Sequence, residues 1–271
     1  MKRFLFIIVM LIEVFLLSSC SRRKLALGIP VRDGFESPTM SDLWETDKIL
    51  PSDIMLQGTI VRNGHGALQI TLHTYDKFEA GRNGNKDSER AELTEADWLI
   101  SQQGKSYAFT FSMFLPADFP IVKTRLVIAQ WKQECPWCHV CDDNSPVLAV
   151  RYVAGILYIT QNISIHQTKL WQSNAEFRNR WLNFKFITCF DTSSKGRIIG
   201  YLNDTLIVDV NGPTTYKEDN ITGYPAPSRF YFKMGLYRDT MLEPMTIFID
   251  DYSKVLLDDN CQCDTNVSIG K

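Results

Sequence analysis

Short apolar–polar alternations recur along most of this chain, and no stretch sustains a helical period. In residues 67–73, Leu68, Ile70 and Leu72 alternate with Gln69, Thr71 and His73. A strand there buries the first row and presents the second on its other face. The same reading predicts strands at 33–36, 43–45, 60–62, 88–93, 107–115, 125–132, 147–152, 155–160, 181–187, 197–202, 205–210, 230–237 and 246–252. Turn signals lie between several of them, at Asn63-Gly64, Ala154-Gly155 and Asn203-Asp204. Many short strands so spaced predict an all-β, antiparallel jelly-roll sandwich of two packed sheets.

A chain of 271 residues, 45% hydrophobic, is long enough to bury one sizeable core. Its net charge of −2 argues against a nucleic-acid partner held by bulk electrostatics. An anionic partner has to be met by a local cluster of Lys and Arg. At the N-terminus, Lys2 and Arg3 precede an apolar run from Phe4 to Leu17, followed by Ser18-Ser19-Cys20. This has the build of an export signal, and Leu17-Ser18-Ser19-Cys20 resembles the bacterial lipobox, in which the Cys is lipidated. The expected organisation is a signal peptide over 1–20, a tether over 21–32, one folded domain over 33–257 and a polar tail over 258–271. The expected protein is an exported monomer, either a lipoprotein at the outer membrane or cell surface that touches the membrane only through lipid on Cys20 or, if the signal is an ordinary secretory one, a secreted or periplasmic protein.

Six further cysteines are Cys135, Cys138, Cys141, Cys189, Cys261 and Cys263. Cys135-Pro136-Trp137-Cys138-His139-Val140-Cys141 has spacing a metal accepts. An oxidising compartment favours disulfides from this loop to Cys189 or to the Cys261/Cys263 tail, with connectivity left open.

The polar faces are chemically unusual. Alternation puts Arg90 and Glu92 opposite Ala91 and Leu93, brings out Gln130 and Lys132, and sets Tyr231, Lys233 and Tyr237 opposite Phe232, Met234 and Leu236. With Gln69, Thr71 and His73, these rows hold guanidinium, carboxamide, ammonium, phenol and imidazole groups. Few are the short hydroxyls that merely solvate a sheet. Gly235, between Lys233 and Tyr237, leaves room for close approach to the backbone.

Ser88-Glu89-Arg90-Ala91-Glu92-Leu93, Ile128-Ala129-Gln130-Trp131-Lys132 and Tyr231-Phe232-Lys233-Met234-Gly235-Leu236-Tyr237-Arg238, in that order, resemble three signature strands of the jelly-roll polysaccharide lyases. The resemblance is to the heparin lyase I-like and glucuronan lyase-like group and, more distantly, to alginate lyases. It implies a concanavalin A-like sandwich and β-elimination from a uronic-acid polysaccharide. Arg90 and Gln130 are then expected to hold the uronate carboxylate as negative charge develops on it. Tyr237 is expected to protonate the leaving oxygen, and His73 or Tyr237 itself to take the C5 proton. Substrate contacts are expected from Lys132, Lys233, Arg238, Glu92 and Tyr231. Alginate lyases carry Gln-x-His where this chain has Gln130-Trp131-Lys132, which turns the expected substrate toward glucuronan or a glycosaminoglycan.

No cofactor is required by this chemistry. A structural calcium at Asp250, Asp251 and Glu36 is the one metal expectation. A glycosidase needs two carboxylates about one sugar bond, and the nearest cluster is Glu92, Glu95 and Asp97. The other alternative is a non-catalytic carbohydrate-binding lipoprotein using Trp44, Trp131 or Trp171 to stack on sugars.

Overall fold

A computed structural model describes residues 24–46, 49–76, 88–134, 145–163, 167–216, 229–258 and 261. Among them are sixteen strands: β1 (Val31–Asp33), β2 (Trp44–Glu45), β3 (Ile54–Gln57), β4 (Ala67–Leu72), β5 (Ser88–Glu95), β6 (Ser101–Gln102), β7 (Ser106–Leu115), β8 (Leu126–Gln133), β9 (Leu148–Val153), β10 (Ile156–Asn162), β11 (Gln167–Ser173), β12 (Arg180–Cys189), β13 (Arg197–Leu202), β14 (Thr205–Asn211), β15 (Arg229–Asp239) and β16 (Met245–Asp258). One sheet runs β14-β13-β12-β7-β16-β4-β3, with β1 also on β16. The other runs β11-β10-β9-β8-β15-β5-β2, with β6 also on β15. Both are antiparallel and packed face to face, the expected jelly-roll sandwich.

Alternation explains the core. Leu68, Ile70 and Leu72 of β4, with Phe109, Phe111 and Met113 of β7, are buried from one side. Ala91, Leu93, Trp131, Phe232, Met234 and Leu236 are buried from the other. Trp131 meets Phe109 edge-on at 5.4 Å and Phe186 at 4.8 Å, and lies 4.7 Å from Phe232. Each such side chain contributes roughly 1.5–3 kcal/mol by leaving water.

Two of the expected turns form tight hairpins. Ala154 (φ 52°) and Gly155 (φ 79°) join β9 to β10, while Asn203 (φ 48°) and Asp204 (φ 63°) join β13 to β14. Both central residues take positive φ, which the twist of a two-residue hairpin demands. The Asn63-Gly64 signal is different. Residues 60–62 are not a strand; β4 pairs instead with β3, across the loop 58–66. The loop's N–H groups go to carboxylates: Arg62 and Asn63 donate to Asp250 at 2.9 and 3.3 Å, and His65 to Glu36 at 2.9 Å. The strand expected over 33–36 stops at Asp33, whose Oδ1 accepts the Phe35 N–H at 2.8 Å and turns the chain. The polar edge strand β11 was not anticipated. The folded body also starts ahead of Asp33, since Val31 pairs with Lys254 and Leu25 is buried.

Cys189, ending β12, is bonded to Cys261 just past β16, with Cα atoms 5.5 Å apart. Cys135, Cys138, Cys141, Cys263 and the whole segment through Cys20 lie outside the described residues.

Gly235 has φ 143° and sits in a bulge of β15, between its register with Met234 and that with Tyr237. A Cβ there would stand 2.2 Å from the Ala91 carbonyl oxygen and 2.7 Å from the Glu92 Cα. The close approach expected at this glycine is therefore made by strand β5. Gly235→Ala is expected to cost about 2–3 kcal/mol through backbone strain and displacement of β5. Urea unfolding of both proteins at one pH measures it.

Candidate active site

The second sheet's outer face carries the expected groups. Register sets them in transverse rows: Arg90 of β5 is opposite Tyr237 of β15, and Tyr237 is opposite Val127 of β8. Val127 is opposite Arg151 of β9, and Arg151 is opposite Tyr158 of β10. In the neighbouring rows Lys233 is opposite Gln130, and Tyr231 is opposite Lys132.

Tyr237 lies among guanidiniums. The Arg90 Cζ is 4.3 Å from its ring centroid and the Arg125 Cζ 4.7 Å. Arg151 is buried on the same row, its Nε donating to Thr160 Oγ1 at 3.1 Å. Burial pulls the Arg151 guanidinium below its ordinary value; Arg125 adds to this, while Tyr158 and Tyr237 oppose it. Positive charge on several sides favours an anion bound or formed beside the phenol.

Glu92 ties two of the expected residues together. Its side chain is fully buried; Oε1 accepts from Gln130 Nε2 at 2.5 Å and Oε2 lies 3.2 Å from Arg90 Nε. Gln130 is on β8 and Glu92 on β5, with β15 between them. The β15 residue opposite Glu92 is Gly235, which has no side chain to block the bridge. Glu92 thus aims both a guanidinium and a carboxamide, and its burial makes it an orienting group. Lys233 Nζ lies 5.4 Å from the Tyr231 ring centroid.

Two expected residues are elsewhere. Arg238 is fully buried on the core side of β15, paired with Glu89 at 2.7 Å and donating to the Glu243 carbonyl at 2.6 Å. As Tyr237's sequence neighbour it must point the other way. It is not on the outer face that carries Tyr237. His73 follows β4, in the other sheet, and Gln69 and Thr71 face outward there, bonded to each other at 3.1 Å. Alternation separates inside from outside but does not say which sheet a strand joins. His73 Nδ1 lies 3.0 Å from Asp76 Oδ2.

Two residues on this face were missed. Arg125 precedes β8, its Nη2 lying 2.9 Å from Asp239 Oδ1 as an ion pair. Arg151 stood as a lone guanidinium in an apolar strand, a signal that was there to be used.

The rival features fare differently. Glu95 is buried beneath the sheet against Lys254, Tyr252 and the Phe232 amide, away from the outer face that carries Tyr237. Trp131 and Trp44 are core residues, and Trp171 packs against the core. Glu36, Asp250 and Asp251 already accept from loop donors, Asp251 Oδ2 from Arg62 and Asn63 at 2.7 and 2.6 Å. A calcium there would have to displace them.

Solved structures share this architecture. An endo-β-1,4-glucuronan lyase from the fungus Trichoderma reesei is similar with a TM-score of 0.58 at 16% identity, over 78% of this chain and 90% of that one. The alginate lyase Aly36B, as a variant bound to an alginate trisaccharide, gives 0.54 at 10% identity, over 84% and 98%. The catalytic domain of a glycoside hydrolase family 131 protein from Coprinopsis cinerea gives 0.51 at 14%, over 83% and 87%. At these identities the likeness is one of fold, and it spans more than one chemistry. No curated protein matches the chain. The family profile described as "Polysaccharide lyase" matches residues 35–253, from the turn after β1 into β16 and across the strands β5, β8, β9, β10 and β15 that carry the row around Tyr237. By that match the chain belongs to the polysaccharide lyase family.

Proposed function

We propose that the enzyme cleaves a uronic-acid polysaccharide, glucuronan or glycosaminoglycan-like, by β-elimination that leaves unsaturated uronate ends. The observation carrying this reading is Tyr237 set among Arg90, Arg125 and Arg151, beside a Gln130 oriented by Glu92. Arg90 and Gln130 bind the carboxylate of the uronate at the cleavage point. As the C5 proton leaves, charge moves onto that carboxylate, where a charge-assisted and a neutral hydrogen bond stabilise it. The Tyr237 oxygen takes the C5 proton and returns one to O4 as the C4–O4 bond breaks, both on one face of the sugar. With His73 placed in the other sheet, this single-residue route fits better than a His–Tyr pair. Lys132, Lys233 and Tyr231 extend the cationic face toward neighbouring uronates. The named similarity to a glucuronan lyase agrees with this substrate class, and an alginate-bound neighbour keeps alginate in the test.

The experiment is a panel of glucuronan, glycosaminoglycans, alginate and a neutral glucan, followed by absorbance near the ultraviolet edge. Absorbance is expected to rise with glucuronan or a glycosaminoglycan and stay flat with the neutral glucan. Binding to a polyuronate with no rise on any of them would replace this reading by the carbohydrate-binding one.

A further inference from the structure

Away from the groove, three side chains converge on one point. Asp53 ends the short turn Pro51–Asp53 that leads into β3. Facing it, His73 and Asp76 belong to the turn that follows β4. One ligand atom from each of Asp53, His73 and Asp76 lies within 4.8 Å of the others, the one such convergence of three among the described residues.

Clustered acids alone prove nothing, but Asp53 adds a second observation. It is 1% exposed, and its Oδ1 accepts from Ser52 at 3.1 Å. Its Oδ2 is buried with no partner. A carboxylate oxygen in that state forfeits its hydration and gains nothing in return. Burial, and then the Asp76 carboxylate through its charge and a side-chain hydrogen bond, push the Asp53 carboxyl up to about 6, with Ser52 and His73 pulling the other way. Asp76 Oδ2 meanwhile receives the His73 amide at 2.5 Å and lies 3.0 Å from its Nδ1. One acid, Asp76, and one imidazole, His73, thus stand beside a buried Asp53 oxygen that a proton shared with Asp76 or a cation can satisfy.

We propose that Asp53, His73 and Asp76 form a binding site for a divalent transition-metal ion of the zinc type. Two carboxylate oxygens and one imidazole nitrogen suit a borderline ion, whereas calcium and magnesium prefer oxygen throughout. Zinc bonds to such atoms are about 2.0–2.1 Å long. The centre of a triangle with 4.8 Å sides lies about 2.8 Å from its corners. Each ligand therefore closes inward by less than about 1 Å relative to those bond lengths. The His73 side chain is 55% exposed, so water completes the coordination from the open side. The ion clips the turn before β3 to the turn after β4. The Asp76 carbonyl accepts the Arg90 N–H at 3.3 Å, so the clip reaches the strand that carries Arg90. Its occupancy is independent of which polysaccharide the groove takes.

The test uses the full chain, treated with chelator and then titrated with zinc chloride against a chromophoric zinc indicator, with thermal unfolding in parallel. One equivalent should bind with micromolar or tighter affinity and raise the Tm. Asp53→Asn and His73→Ala should each weaken that binding at least tenfold and abolish the Tm rise. Both should remain folded, since the first is isosteric and the second lies at the surface. Protein with its thiols alkylated should keep the effect, which separates this site from the Cys135–Cys141 segment. No zinc-dependent Tm rise, a rise unchanged in both variants, loss of the rise on alkylation alone, or an equal rise with calcium would each overturn the proposal.

Discussion

Tyr237→Phe should lower kcat/KM on the preferred polyuronate by about 1,000-fold, within the roughly 10²–10⁴ range for loss of a positioned acid or base. That corresponds to about 4 kcal/mol of transition-state stabilisation. The change removes one oxygen and keeps the ring between the Arg90 and Arg125 guanidiniums. Unfolding midpoint and substrate affinity should therefore stay close to those of the parent. The measurement is initial rate by ultraviolet absorbance, paired with a binding assay and thermal unfolding. A variant keeping a tenth or more of the parent rate would show that the phenol oxygen takes no part in proton transfer.

Lys254→Met should destabilise the fold by about 3–5 kcal/mol near neutral pH, as expected when one partner of a buried ion pair is removed. Lys254 and Glu95 are both fully buried; Nζ donates to Glu95 Oε2 at 2.9 Å and also to the Leu99 carbonyl. The same carboxylate accepts from the Tyr252 hydroxyl and from the Phe232 amide at 3.2 Å. Burial raises the Glu95 carboxyl from its ordinary 4.5 while Lys254 restrains that rise, so removing the ammonium raises it further. The folded variant then holds a proton that the unfolded chain releases at 4.5 and above. Stability must fall as pH climbs from there through the raised folded value. The deficit should be smallest near pH 4 and largest near pH 8, read from denaturant unfolding at both. In a Glu95→Gln background the loss on changing Lys254 should shrink, because no carboxylate is left without its partner.

The polar face around Tyr237 was legible wherever one physical rule sufficed. Alternation placed Arg90, Gln130, Lys132, Tyr231, Lys233 and Tyr237 on the outside of their strands, and register brings those strands together. The same rule excludes Arg238, which points with Leu236 into the core and pairs there with Glu89. His73 follows a different rule, because the pairing of β4 with β16 places its strand in the other sheet, outside the rows formed by β5, β15 and β8. Arg151 faces outward by the same alternation, between the core residues Val150 and Tyr152 of β9; what no local pattern shows is that β9 lies beside β8, where the bulge between Val127 and Ala129 brings Arg151 into the row of Tyr237. The loop 58–66 likewise depended on carboxylates about 190 positions away, since Asp250 and Asp251 supply what a hairpin ladder would have given.

The two sheets are completed by the last strands made. β15 separates β8 from β5, and β16 separates β7 from β4. Without them the first sheet falls into β3–β4 and β7–β12–β13–β14, and the second into β2–β5 and β8–β9–β10–β11. Each fragment then presents an open edge and half a core. Assembly cannot run from the N-terminus onward; it waits for the C-terminal segment to insert between partners already far apart in sequence, an order that makes folding slow. The strand that carries Tyr237 is thus also the one that joins the halves of its sheet, so the row Arg90, Tyr237, Arg151 exists only once β15 has inserted between β5 and β8.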